Sequence, residues 1–141
     1  MKLRKTVAMI SRISDKTNRF IIKELEKKGI RGIVPSHGGI LMVLFSYKQI
    51  TMKELAQKIH RSKPTVTILV DKLTKFGYVY KQKSDTDSRV TYITLSEKGR
   101  AFQKDFEAIS QSLNNKVFQG LSEEEIDTVE PILEKILKNL S

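Results

Sequence analysis

The 141-residue sequence predicts a mainly α-helical fold with one small β-hairpin in its second half, flanked by long helices at both ends. Three observations lead there. Apolar residues recur at three- and four-residue spacing over most of the chain. The period drops to two only between Tyr78 and Leu95. Glycines and serines stand where the periodic stretches stop and start.

Residues 3–28 place Leu3, Val7, Ile10, Ile13, Ile21 and Leu25 on one stripe of a long amphipathic helix, and Gly29 is its natural stop. After IRGIVP, Ser36 is the expected cap of a second helix, whose run Ile40, Leu41, Val43, Leu44 and Phe45 predicts burial on most sides. TMKELAQKIHRSKPTVTILVDKLTKFGYV then carries two stripes, Leu55, Ala56 and Ile59 followed by Val66, Leu69, Val70 and Leu73. Only HRS separates them, which leaves room for a tight turn and nothing else. Ser62 suits the cap of the second helix, and Pro64 falls in its first turn, where a missing N–H costs nothing. Gly77 ends that helix.

YVYKQ and RVTYITL alternate and are rich in β-branched and aromatic residues, so they read as two strands. The loop between them holds SDTD, with Asp85 as the expected turn former. Ser96 is placed to cap a long helix striped by Phe102, Phe106, Ile109, Leu113 and Val117. Ser122 and Glu125 have the spacing of a capping box for a last helix striped by Ile126, Val129, Leu133, Ile136 and Leu140. The terminal helices have little of a short chain left to cover them. They pack on each other, or they are buried against a second copy, the more economical solution.

Composition narrows the function. Lysine and arginine outnumber aspartate and glutamate by 26 to 16, and the excess is uneven: 11 − 3 over residues 1–48, 11 − 5 over 49–100, and 4 − 8 over 101–141. A polyanionic partner therefore faces the first two thirds of the chain. The absence of cysteine excludes disulfides and thiolate metal sites. His37 and His60, the only histidines, lack a neighbouring carboxylate cluster, so no metal and no cofactor are expected. There is no nucleophile–base pairing and no phosphate-cradling glycine loop, Gly38-Gly39 being a lone pair, which excludes the usual enzyme classes. The N-terminal stretch lacks the apolar core of a signal peptide and nothing is long enough to span a bilayer; the cytoplasm, without membrane partners, is the expected location.

Residues 52–71 fit a helix-turn-helix, with small Ala56 at the helix crossing, although His60 and Arg61 stand where the turn usually has glycine and an apolar residue. A hairpin directly after the second helix is the wing of a winged helix-turn-helix. With Val66, Leu69, Val70 and Leu73 inward, Lys63, Thr65, Thr67, Ile68 and Lys72 face outward, beside Ser62 and Pro64 at the N-terminal turn. Such a helix enters a DNA major groove by its N-terminal end. Lys63 would then donate to guanine or phosphate, and Ile68 would offer an apolar contact for a thymine methyl. Read without DNA, the same residues make an ordinary solvated face.

TMKELAQKIHRSKPTVTILVDKLTKFGYV and DTDSRVTYITLSEKG together resemble the MarR (multiple antibiotic resistance regulator) family of transcription factors, through ELA, TVTILVDKL, GYV, the D-x-R of Asp87 and Arg89, and LSEKG. The resemblance implies a homodimer, with residues 1–35 and 97–141 as a helical dimerisation region. It implies a DNA-binding lobe over 36–96 that reads a pseudo-palindromic operator in double-stranded DNA. Ile68 departs from the arginine that many members carry. A carboxylate two residues from Arg89, on the same side of a strand, would hold the guanidinium in one pose, and the resembled family uses the pair to present arginine to the minor groove. Alternatively the pair only staples the hairpin. Lys81 and Lys83 are the expected phosphate neutralisers.

The resemblance further implies a repressor released by a small, often aromatic, effector in a pocket near Ile10, Ile13, His37, Ile40 and Phe102. Those apolar residues read equally as core, and His37 as a capping or surface histidine. The other functional reading is a winged-helix module for protein–protein contacts without sequence-specific DNA binding.

Overall fold

A computed structural model describes every residue from Met1 to Ser141. The order is α1 (Thr6–Lys27), a 3₁₀ turn (Pro35–His37), α2 (Gly38–Ser46), β1 (Ile50–Thr51), α3 (Met52–Ile59), α4 (Lys63–Lys75), β2 (Val79–Lys83), β3 (Thr91–Leu95), α5 (Glu97–Ala101), α6 (Gln103–Val117) and α7 (Glu123–Asn139). Two compact units result, residues 1–109 and 110–141. In the second, the Ser122–Glu125 capping box forms as expected, with reciprocal bonds of 3.1 and 2.9 Å.

The core of the first unit gathers the predicted stripes. Leu55 and Ala56 of α3 meet Val66, Val70 and Leu73 of α4, beneath Ile40, Leu41 and Leu44 of α2 and against Val79, Ile93 and Leu95 of the sheet. In α2, Met42 stays exposed, so that helix is less fully buried than the sequence predicts. Strand order is β1-β3-β2, all antiparallel, with Ile50 opposite Ile93 and Val79 opposite Leu95. Sequence reading missed β1, because two residues carry no periodicity.

Two capping expectations change. Ser36 does not cap α2. The helical path begins one residue earlier, at Pro35, whose ring pre-sets the backbone dihedral, and Val34 occupies the cap position in an extended conformation. The Val34 N–H instead donates to Nδ1 of His37, at 2.9 Å. Ser96 does cap, its Oγ accepting the Gly99 N–H at 3.0 Å, but the predicted long helix is segmented at Phe102. There the buried Phe102 ring lies edge-on to both Tyr78 and Phe106. Gly99 lets this corner close, since a Cβ there would lie 2.1 Å from the Tyr78 carbonyl oxygen.

The connector after α1 is tied to the parts that follow. Tyr78, at the root of β2, donates its hydroxyl to the Arg31 carbonyl at 3.0 Å. His37, fully buried, has Nε2 3.0 Å from the Leu69 carbonyl in the middle of α4. Since Nδ1 accepts from Val34, Nε2 carries the hydrogen and the ring is neutral. Burial, and secondarily the positive charge of Lys72, hold its pKa below the ordinary histidine value, against the opposing pull of the Leu69 bond.

A histidine whose folded pKa is depressed stabilises the fold fully above its unfolded value, and that contribution is lost as pH falls through it. Thermal unfolding midpoints should therefore decline as pH is lowered from about 7.5 to about 5.5, around the ordinary histidine value near 6.5. His37→Ala should unfold at lower temperature throughout and lack this slope. A wild-type midpoint that is flat over the range would mean that folding does not shift the titration of His37.

Candidate nucleic-acid interface

The turn between α3 and α4 is set by local chemistry. Thr51 caps α3 by accepting the Glu54 N–H at 3.1 Å. His60 closes that helix in the left-handed region, at φ 55°, the conformation for which glycine is usual. Ser62 then starts α4. Its Oγ accepts the Thr65 N–H at 3.4 Å and donates to the Thr65 hydroxyl at 2.9 Å. Thr67 donates its hydroxyl back to the Lys63 carbonyl at 2.9 Å. Ser62, Lys63, Pro64, Ile68 and Lys72 are exposed, as predicted for an outward face, whereas Thr65 and Thr67 are half-buried.

A groove runs between this face and the hairpin. Lys63 and Thr67 of α4 line one side, and Lys81, Arg89, Val90 and Thr91 line the other. Thr51, Met52 and Lys53, at the start of α3, complete it. Four of the predicted residues are thus brought together from two elements about twenty positions apart. Lys53 was not singled out from the sequence; the pairing of Thr51 with Tyr92 across β1 and β3 puts the start of α3 beside the hairpin. Lys83, exposed at the end of β2, is not part of the groove lining.

The hairpin loop differs in detail from its expectation. Ser84 shapes it, with its Oγ 3.3 Å from the N–H groups of Thr86 and Asp87, and Asp85 does not. A serine hydroxyl reaches those neighbouring amides directly, while Asp85 points its charge to solvent from an exposed position. Asp87 and Arg89 are not on a strand either. They lie in a turn closed by the Val90 N–H to the Asp87 carbonyl, at 3.0 Å. The Asp87 carboxylate accepts the Arg89 backbone N–H at 3.0 Å, its Nε at 3.1 Å and its Nη2 at 3.2 Å. Three bonds from one carboxylate hold the guanidinium by backbone and fork together, with the arginine side chain still 89% exposed. Arg89 holds the Asp87 pKa below the ordinary carboxylate value, first through its side chain and then through its N–H. The pair is therefore intact at neutral pH and breaks only in acid below that value.

Lys81 has a partner that the sequence did not suggest. Its Nζ lies 2.6 Å from Oδ1 of Asp71 on α4, so it is already paired and ties the hairpin to the helix. The residues placed near an effector pocket do not share one environment. Ile40 and Phe102 are core, His37 has both nitrogens bonded, and Ile10 and Ile13 are exposed on α1.

Residues 35–91 match the family model described as the MarR family. The chain is 31% identical over 100 residues to the HTH-type transcriptional regulator SarZ of Staphylococcus epidermidis, covering 71% of this chain and 67% of the relative. Its fold is similar to the MepR–DNA complex of S. aureus, at a TM-score of 0.85 and 24% identity, over 98% of this chain and 99% of that one. It is also similar to overoxidized AbfR bound to DNA, at a TM-score of 0.76 and 25% identity, over 97% and 93% of the two chains.

If Asp87 orders the loop locally, Asp87→Ala should leave the denaturation midpoint almost unmoved, because the pair is solvent-exposed. Hydrogen exchange at the Arg89 amide should speed up by at least several-fold, since its acceptor is gone. Unchanged exchange at Arg89 would show that the turn holds without the carboxylate.

Proposed function

This chain belongs to the MarR family, and from that premise we propose that it works as a homodimeric, sequence-specific, DNA-binding transcription regulator. The observation that carries the reading is the shared groove, where Lys63 and Thr67 of the outward helix face Arg89 of the hairpin across a basic cleft. Helix α4 enters the major groove by its first two turns, with Ser62, Lys63, Pro64, Thr65, Thr67 and Ile68 nearest the bases and phosphates and Lys72 one turn further along. Arg89 reaches the neighbouring minor groove, already oriented by Asp87, so less side-chain entropy is lost on contact. Lys83 and Lys53 neutralise phosphates. Lys81 reaches a phosphate only by giving up Asp71.

The dimer is supported by apolar side chains that nothing in the chain covers. Val7, Met9 and Ile13 on α1 are more than half exposed, as are Ile132, Leu137 and Leu140 towards the end of the chain. A second copy is the partner that removes both sets from water. In this reading residues 1–35 and 97–141 form the dimerisation region and 36–96 the DNA-binding lobe. No helix is long and apolar enough to cross a membrane, and we place the protein with its DNA in the cytoplasm.

Binding of fragments of the source genome at two salt concentrations tests the regulator reading. A few fragments should be selected, with affinity falling steeply as salt rises. Arg89→Ala should weaken the selected fragments by about tenfold or more, the worth of one good arginine contact, while weak general binding persists. No preferred fragment, or binding indifferent to salt, would favour the protein–protein module instead. For the dimer, sedimentation should give twice 16.2 kDa for the native chain and a shift toward one copy for Leu137→Glu. A native chain sedimenting as one copy at micromolar concentration would remove that part of the proposal.

A further inference from the structure

Ile68 is the one large apolar side chain of α4 left open to water, at 71% exposure. It makes no contribution to the core, which α4 reaches through Val66, Val70 and Leu73. At helical spacing its neighbours on the surface are Pro64, Thr65, Asp71 and Lys72. Asp71 is taken up by Lys81. The hydroxyl groups beside it are partly engaged within the helix: Thr65 accepts from Ser62 and keeps its own O–H, and Thr67 donates to the Lys63 carbonyl. The middle of this face thus offers outward a branched hydrocarbon with one ammonium group beside it, that of Lys72.

We propose that Ile68 is a specificity-determining residue that reads thymine through its 5-methyl group in the major groove. The inference rests on the DNA-reading role of α4 proposed above. Among the base edges exposed in the major groove, the thymine methyl is the only apolar group. An exposed isoleucine beside a cation fits a surface that is anionic overall and carries isolated methyl groups. A protein partner would need a wider apolar patch than Ile68 and Pro64 make together. An isoleucine also cannot accept or donate a hydrogen bond, so a guanine or cytosine at the same step leaves its polar edge unpaired beneath the side chain. The consequence is a half-site with a required thymine at one fixed step.

The experiment uses the full-length protein and a selected genomic fragment. Each thymine is replaced in turn by deoxyuridine, which deletes only the 5-methyl group and keeps the pairing and the O4 acceptor. At one position in each half-site the native protein should lose about fourfold in affinity, the worth of one buried methyl-sized group. For Ile68→Ala, the same replacement should change nothing. Ile68→Val, which keeps β-branched methyls, should retain part of the effect and guards against loss of fold in the alanine variant. If no thymine shows a methyl effect with the native protein, the proposal is overturned. An effect equally large in Ile68→Ala overturns it too, since another residue then reads the methyl. A selected fragment with no methyl effect leaves the regulator reading intact, while failure to select any fragment overturns both.

Discussion

The buried imidazole of His37 is the constraint on which the DNA-facing half of the molecule depends. One nitrogen accepts the Val34 N–H in the connector after α1, and the other donates to the Leu69 carbonyl in α4. Only the neutral ring can do both, and burial maintains that form. The position of α4 relative to the connector is thus fixed by a polar group deep in an apolar core, where an unmade bond would cost far more than in water. Tyr78 makes a second tie from the hairpin root to Arg31 in the same connector. Helix and hairpin, the two elements that flank the basic groove, are therefore referenced to one short segment.

The hairpin is anchored at its base and shaped at its tip by separate devices. At the base, Gly99 admits the Tyr78 carbonyl where any side chain would collide, and Ser96 caps α5 while also donating to the Gly77 carbonyl. Along β2, Lys81 reaches Asp71 and holds the strand to α4. At the tip, Ser84 and Asp87 organise the backbone with side-chain oxygens. The two aspartates of this loop do not oppose its basic character. One orders an arginine that remains exposed, and the other stands in water.

Charge and shape have different tasks across this surface. The excess of lysine over most of the first hundred residues supplies attraction to a polyanion, which is sequence-independent and salt-sensitive. Discrimination has to come from groups held in one pose. Arg89 is held by its neighbour, and Ile68 by the stiffness of a β-branched side chain on a helix. Lys81, expected from its type to meet phosphate, is paired with Asp71 here, so a basic residue also serves the geometry of the site.

By itself the sequence determined the identity and order of the long elements, because burial of one face imposes its period on every helix and strand beyond a turn or two. It determined the caps at Ser62, Ser96 and Ser122 and the outward set on α4, since these follow from spacing within one element. What only the tertiary structure decided lies where distant segments meet. The two-residue strand β1 exists because β3 offers it an edge. Lys53 joins the groove because that pairing turns the start of α3 towards the hairpin. His37 becomes a core tie, rather than a surface cap, because Pro35 starts the turn one residue early and points the ring at Leu69. The Asp87–Arg89 pair was legible as a pair, but its geometry was not. A strand would have aligned the two side chains by alternation, and the chain uses a turn whose backbone amide bonds the same carboxylate. Local periodicity carries information along one element; the register between elements is set by volumes and hydrogen bonds that no single stretch contains.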